Sequence, residues 1–118
     1  MVELKDIKNV LEKSTIAVAS SDKNGNPHNI VVMYAKVSDN KIIISDVFMK
    51  TTLKNIKENP KISLVFWQGE AGFGINGKVE YHNSGKWLEF VKNLPENKEM
   101  NPKGALVISI DKIRRLGN

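Results

Sequence analysis

The chain has no cysteine. Disulfides, thiolate nucleophiles and cysteine metal sites are therefore excluded, while the redox compartment stays open. Histidine is nearly as scarce. His28 and His82 stand far apart, and neither has a second histidine or a carboxylate at ligand spacing on a helix, so no metal site is expected. No serine sits in a G-x-S-x-G elbow, and no motif joins one to a histidine and an acid, which leaves acyl transfer without support. Long apolar runs are also missing. Nothing approaches the length that crosses a bilayer, so a soluble chain with no membrane partner is expected. The opening residues Met1-Val2-Glu3-Leu4-Lys5 lack the basic and apolar regions of a secretory signal, and a cytoplasmic location follows as an expectation.

What is present is ordinary globular composition. The 118 residues are 41% hydrophobic and 26% charged, which predicts one domain spanning residues 1–118. Eighteen Lys and Arg against thirteen Asp and Glu give a net charge of +5, which suits anionic ligands, phosphorylated cofactors and nucleic acid alike. The basic residues are spread along the chain, with only Lys112, Arg114 and Arg115 clustered, as a solvated surface would have them.

Periodicity orders the elements. Residues 3–13 place Leu4, Ile7, Val10 and Leu11 on one helical face. Residues 15–20 then switch to a β-branched run, and Asp22-Lys23-Asn24-Gly25-Asn26-Pro27 turns the chain into a second run over 29–37. Ser38-Asp39-Asn40 turns it again into 41–45, so a three-stranded meander is predicted. A helix follows from Lys50 or Thr51 to the stop at Pro60, with Leu53 and Ile56 on its apolar face. Residues 62–67 and 73–81 read as strands, the first apolar enough for burial on both faces. Trp87, Val91 and Leu94 mark a helix over 84–94, residues 104–110 a last strand, and Asp111 onward a polar tail. Six strands interrupted by three short helices, without βαβ alternation, argue for an antiparallel barrel.

The chemistry concentrates after the third strand. A helix beginning at Lys50 or Thr51 presents free N–H groups and the positive end of its dipole, which favours a phosphate. Lys50 adds a charge, and Thr51 and Thr52 add hydroxyls. Taken alone, Lys-Thr-Thr is more readily a helix cap beside a solvated lysine. Gly72-Phe73-Gly74-Ile75-Asn76-Gly77 matches G-x-G-x-x-G, yet Lys78-Val79-Glu80-Tyr81 continues in strand alternation where a dinucleotide fold needs a helix, so curvature or a bulge is the better account. Trp67 with Gln68 could flank and hydrogen-bond a flat heterocycle, or serve as core and turn.

The order of elements resembles the pyridoxamine-phosphate-oxidase-like FMN-binding split barrels. The likeness rests on Ile16-Ala17-Val18-Ala19-Ser20 with Gly25-Asn26-Pro27-His28, on Ile42-Ile43-Ile44-Ser45 with Lys50-Thr51, and on Asn55-Ile56 through Asn59-Pro60-Lys61-Ile62-Ser63-Leu64. It implies a mainly β fold with short helices, a six-stranded antiparallel split β-barrel, working as a homodimer with FMN at the subunit interface. It also implies roles. Lys50 and Thr51 would hold the phosphate, and Asp46, Val47, Phe48 and Met49 would follow the ribityl chain and ring edge. Asn29, Ile30, Val31, Val32 and Met33 would lie beneath the isoalloxazine, with Trp67 or Gln68 near the ring.

The family's true oxidases have a longer chain and a C-terminal Arg- and His-bearing segment that grips pyridoxal phosphate, where this chain reads Ile113-Arg114-Arg115-Leu116-Gly117-Asn118. Pyridoxamine phosphate oxidation is not expected of it. An FMN redox protein or oxidoreductase acting on a small-molecule or protein partner is expected, with a non-enzymatic carrier, or a binder of haem or deazaflavin, as the alternatives. A small-barrel RNA-binding module would interleave exposed aromatics with its basic residues. Here Phe66, Trp67, Phe73, Trp87 and Phe90 mostly fall at core positions, which argues against nucleic acid.

Overall fold

The computed structural model describes residues 2–116. Helix α1 (Leu4–Glu12) buries Leu4, Ile7 and Leu11 along one stripe, and its first turn is closed by the Glu3 N–H donating to the Asp6 carboxylate at 2.9 Å. Seven strands follow: β1 (Ile16–Ser21), β2 (Pro27–Val32), β3 (Lys36–Ser38), β4 (Lys41–Asp46), β5 (Lys61–Gln68), β6 (Ala71–His82) and β7 (Gly104–Arg115). All pair antiparallel in one sheet of order β2-β1-β5-β6-β7-β4-β3. Helix α2 (Thr51–Glu58) links β4 to β5, and α3 (Lys86–Lys92) with a 3-10 turn (Pro95–Asn97) links β6 to β7.

The expected six strands are seven because the run over 29–37 is broken. It stops at Val32, and after Met33, Tyr34 and the fully buried Ala35 it resumes as β3 on the far edge of the sheet. The expected three-stranded meander is thus two separate hairpins, β1–β2 and β3–β4. Asp39 and Asn40, both with positive φ (54° and 58°), form the tight turn of the second. Four Cα steps separate Val32 from Lys36 and can span at most about 14 Å. The two outer edges must therefore curl toward each other, yet β2 and β3 do not pair, and the barrel stays split along that seam.

The barrel interior holds Ile16, Val18, Ile42, Ile44, Leu64, Phe66, Ile75, Leu106 and Ile108, with Ile7 and Leu11 of α1 packed into the same core. A second cluster lies outside β4 and β7, where Ile43, Ala105 and Val107 pack on Trp87 and Val91 of α3. The doubly buried strands are consequently β4 and β7. Burial of β5 on both faces, expected from its composition, does not occur: Ile62, Leu64 and Phe66 point inward, while Val65 is half-buried and Trp67 is 57% exposed.

The G-x-G-x-x-G segment is strand throughout, inside β6, with a register shift at Asn76/Gly77. Gly77 is needed there because a Cβ would lie 2.3 Å from the Ser109 carbonyl oxygen. The residues after Asp111, expected as a polar tail, extend β7 instead: Ile113, Arg114 and Arg115 pair with Ile75, Gly74 and Phe73. Ladder bonds and the half-buried Ile113 hold them, a signal diluted by the flanking charges. No helix of the described residues is long and apolar enough to cross a membrane.

Candidate functional site

The split seam carries an open cleft of about 360 Å³, within the roughly 300–1,000 Å³ usual for small-molecule sites. One wall is Ile30, Val31 and Val32 of β2 with Met33 and Tyr34 beyond it. The other is Ser45 at the end of β4 and the bend Val47, Phe48 and Met49, with Met100 closing one side. The lining is apolar and largely uncovered: Phe48 is 84% exposed, Met33 73% and Val31 65%. Such a surface suits a flat aromatic ring system, whose burial would remove these side chains from water.

Seven of the residues singled out in the sequence meet here, namely Ile30 to Met33 and Val47 to Met49. Lys50 and Thr51 stand just beyond Met49, exposed, where Lys50 is the N-cap of α2. No side chain caps that helix, so the N–H groups of its first turn face outward unpaired by the helix itself. Exposed cation, hydroxyl and N–H donors at a helix start form an arrangement that accepts an anionic group.

The structure places the others elsewhere. Asn29 is exposed on the outer face of β2, two residues from Val31, and does not line the cleft. The Asp46 carboxylate points away from the cleft, fully buried, accepting the Tyr81 hydroxyl at 2.7 Å and the Met49 N–H at 2.9 Å. A role along a ribityl chain is closed to it in this arrangement. Gln68 spends its amide on the C-terminal end of α1, donating to the Lys13 carbonyl at 2.9 Å and to Ser14 Oγ at 3.2 Å. Trp67, at the end of β5, is exposed on the sheet's outer face and is not core.

Three cleft residues carried little sequence signal. Tyr34 and Ser45 belong to one buried network: Asn97 Nδ2 donates to Ser45 Oγ at 2.9 Å and to the Val91 carbonyl at 2.7 Å, and the Tyr34 hydroxyl donates to Asn97 Oδ1. Burial pushes the Tyr34 phenol above its ordinary range, so it remains a donor. Met100 reaches the cleft from a polar stretch after the 3-10 turn, where no periodicity marks it. Among the described residues no group of three or more His, Asp or Glu could hold a metal ion.

An antiparallel sheet curled on itself and left open along one seam, with an apolar cleft there beside a helix start, defines the class of split β-barrel proteins. Residues 4–117 match the family model described as pyridoxamine 5'-phosphate oxidase, and the chain belongs to that family. An uncharacterized protein of Methanocaldococcus jannaschii is 33% identical over 112 residues, covering 90% of this chain and 75% of the relative. Among solved structures, Group A Streptococcus HupZ superimposes with a TM-score of 0.85 at 24% identity, over 98% of this chain and 94% of that one. An FMN-binding protein from Syntrophomonas wolfei gives 0.80 at 16%, covering 98% and 86%. HutZ, the heme storage protein of Vibrio cholerae, gives 0.72 at 12%, covering 98% and 95%. At these identities the three structures share the fold.

Proposed function

We propose that this chain binds FMN in the seam cleft and works as a redox protein, passing electrons or hydride between the flavin and a small partner. The observation that carries the reading is the meeting of an apolar cleft with an uncapped helix start: Val31, Met33, Phe48 and Met49 suit a flat ring, and Lys50, Thr51 and the first N–H groups of α2 suit a phosphate. Bound FMN supplies the one- and two-electron chemistry, so the lack of a catalytic motif is no objection. The protein's own residues bind, orient and shield.

A homodimer is part of the proposal. The outward positions of β2, β1 and β5 bring Val31, Ala17 and Val65 into one row by register, with Trp67 two residues beyond Val65. Val31, Trp67, Met33 and Phe48 are all exposed, and large exposed apolar side chains brought together favour a partner surface. A second copy covering them would close the cleft from above.

The test is purification without added cofactor, a visible spectrum, and mass identification of whatever chromophore is released. Bands near ~370 and ~450 nm with released FMN support the reading. A colourless protein that also takes up no added FMN overturns it, and released haem or deazaflavin would reassign the cleft to that ligand.

A further inference from the structure

Both oxygens of the buried Asp46 carboxylate are committed, Oδ1 to the Met49 N–H and Oδ2 to the Tyr81 hydroxyl. Tyr81 stands on β6, and β7 lies between it and the β4 strand that ends in Asp46. To reach Asp46 it crosses β7 at Gly104, the residue paired with Asp46 in the ladder. A Cβ at position 104 would lie 2.1 Å from the Tyr81 hydroxyl oxygen and 2.3 Å from the ring carbon that bears it. The crossing exists because position 104 has no side chain.

The consequence falls on the cleft. Asp46 begins the bend through Val47, Phe48 and Met49 that forms one wall and delivers Lys50 and Thr51 to the start of α2. Inside that bend the Asp46 carboxylate supplies the acceptor for the Met49 N–H, and the Asp46 carbonyl accepts the Lys103 N–H at 2.9 Å. The Tyr81 bond keeps the carboxylate in the one orientation that serves Met49. Burial, and then the carboxylate itself, hold the Tyr81 phenol well above its ordinary range, so the hydroxyl stays a donor.

We infer that Tyr81 is a positioning residue for the cofactor cleft, acting across Gly104 through Asp46 and the Met49 N–H to pre-form the 46–50 bend without touching the ligand. The inference rests on the FMN reading above. Losing the Tyr81 bond lets the bend sample other shapes, and the ligand then binds only the fraction that is competent. A merely structural role behaves differently. It lowers the melting temperature but leaves the affinity measured well below it unchanged, because the unfolded fraction is still negligible.

Two variants divide these cases. Tyr81→Phe removes one oxygen and keeps the ring, whereas Gly104→Ala keeps every polar group and displaces the hydroxyl. Each is titrated with FMN well below its melting temperature, and Met49 amide exchange is followed in the flavin-free proteins. The expected result is FMN binding weakened by about tenfold and Met49 exchange accelerated by a similar factor in both. Unchanged affinity and exchange in the folded variants overturn the inference while leaving the FMN reading intact. A wild-type protein that takes up no FMN overturns both. If one variant fails to fold the other decides, and where they disagree Tyr81→Phe decides, since it introduces no new contact.

Discussion

The Asn97 side-chain amide donates to Ser45 Oγ at 2.9 Å, fastening the segment between β6 and β7 to one wall of the seam cleft. Asn97 is only 2% exposed, and its other contacts, to the Val91 carbonyl and the Tyr34 hydroxyl, leave no polar atom of the side chain idle. One residue outside the cleft lining thus sets the placement of two cleft residues, Tyr34 and Ser45, and anchors the chain that leads to Met100.

Asn97→Ala is expected to be strongly destabilising. It leaves a carbonyl and two hydroxyls to find new partners in a buried place, at a cost of about 2–4 kcal/mol. Thermal unfolding should show a drop on the order of 10 °C. A fall of less than a degree or two would mean that water enters and replaces the amide.

The same segment is latched at its edge by Lys36 and Glu96, an ion pair between the start of β3 and the 3-10 turn. The hydrogen bond from Lys36 holds the Glu96 carboxyl below its ordinary value of 4.5. A lowered pKa in the folded state means a contribution that is complete above pH 4.5 and lost as pH falls through the folded value. Glu96→Gln should therefore lower stability near neutrality by no more than about 1 kcal/mol, given the pair's partial exposure. Its stability curve should draw toward the wild type as pH falls below 4.5, and curves that stay parallel down to the acid limit of the fold would refute the latch.

Lys50 is exposed at the N-cap of α2, where its carbonyl accepts the Lys54 N–H and its side chain makes no hydrogen bond or ion pair among the described residues. Lys50→Ala should leave the melting temperature nearly unchanged, within about 0.5 kcal/mol in stability. FMN affinity should fall by about tenfold or more through the loss of a charge-assisted contact, while riboflavin, which has no phosphate, binds as before. Equal losses for both ligands would remove Lys50 from the phosphate site.

Much of this was legible in the sequence, for physical reasons that differ by element. Leu4, Ile7 and Leu11 announce α1 by their spacing, and the glycines of β6 were separable from a dinucleotide loop because Lys78 to Tyr81 keep strand alternation. The break after Val32 was not legible, since the run from 29 to 37 is uninterrupted in β propensity and only the curl of the whole sheet sends β3 to the opposite edge. Local pattern placed Val47 to Met49 together on what is a cleft wall, but it could not show where the Asp46 carboxylate goes, because its partner Tyr81 is 35 residues away in sequence and two strands away in space. Gln68 was misread for the same reason: its amide answers to the end of α1, 54 and 55 residues earlier.

Trp67 carries the last prediction. It is 57% exposed on a sheet face that continues through Val65, Ala17 and Val31, so in a solitary chain the indole contributes little to folding. If a second copy covers that face, as proposed above, Trp67 becomes a large aromatic anchor of the interface, the kind of residue whose truncation costs about 2 kcal/mol or more. Trp67→Glu should then raise the dimer dissociation constant about 30-fold or more while the melting transition of the monomer persists. Sedimentation velocity across a dilution series reads this directly. A variant that sediments as the wild type does at every concentration would place the interface elsewhere on the molecule. Loss of the fold itself would show that Trp67 is packed in a way its exposure does not reveal, and Val31→Lys, on the same face and 65% exposed, would then settle the point.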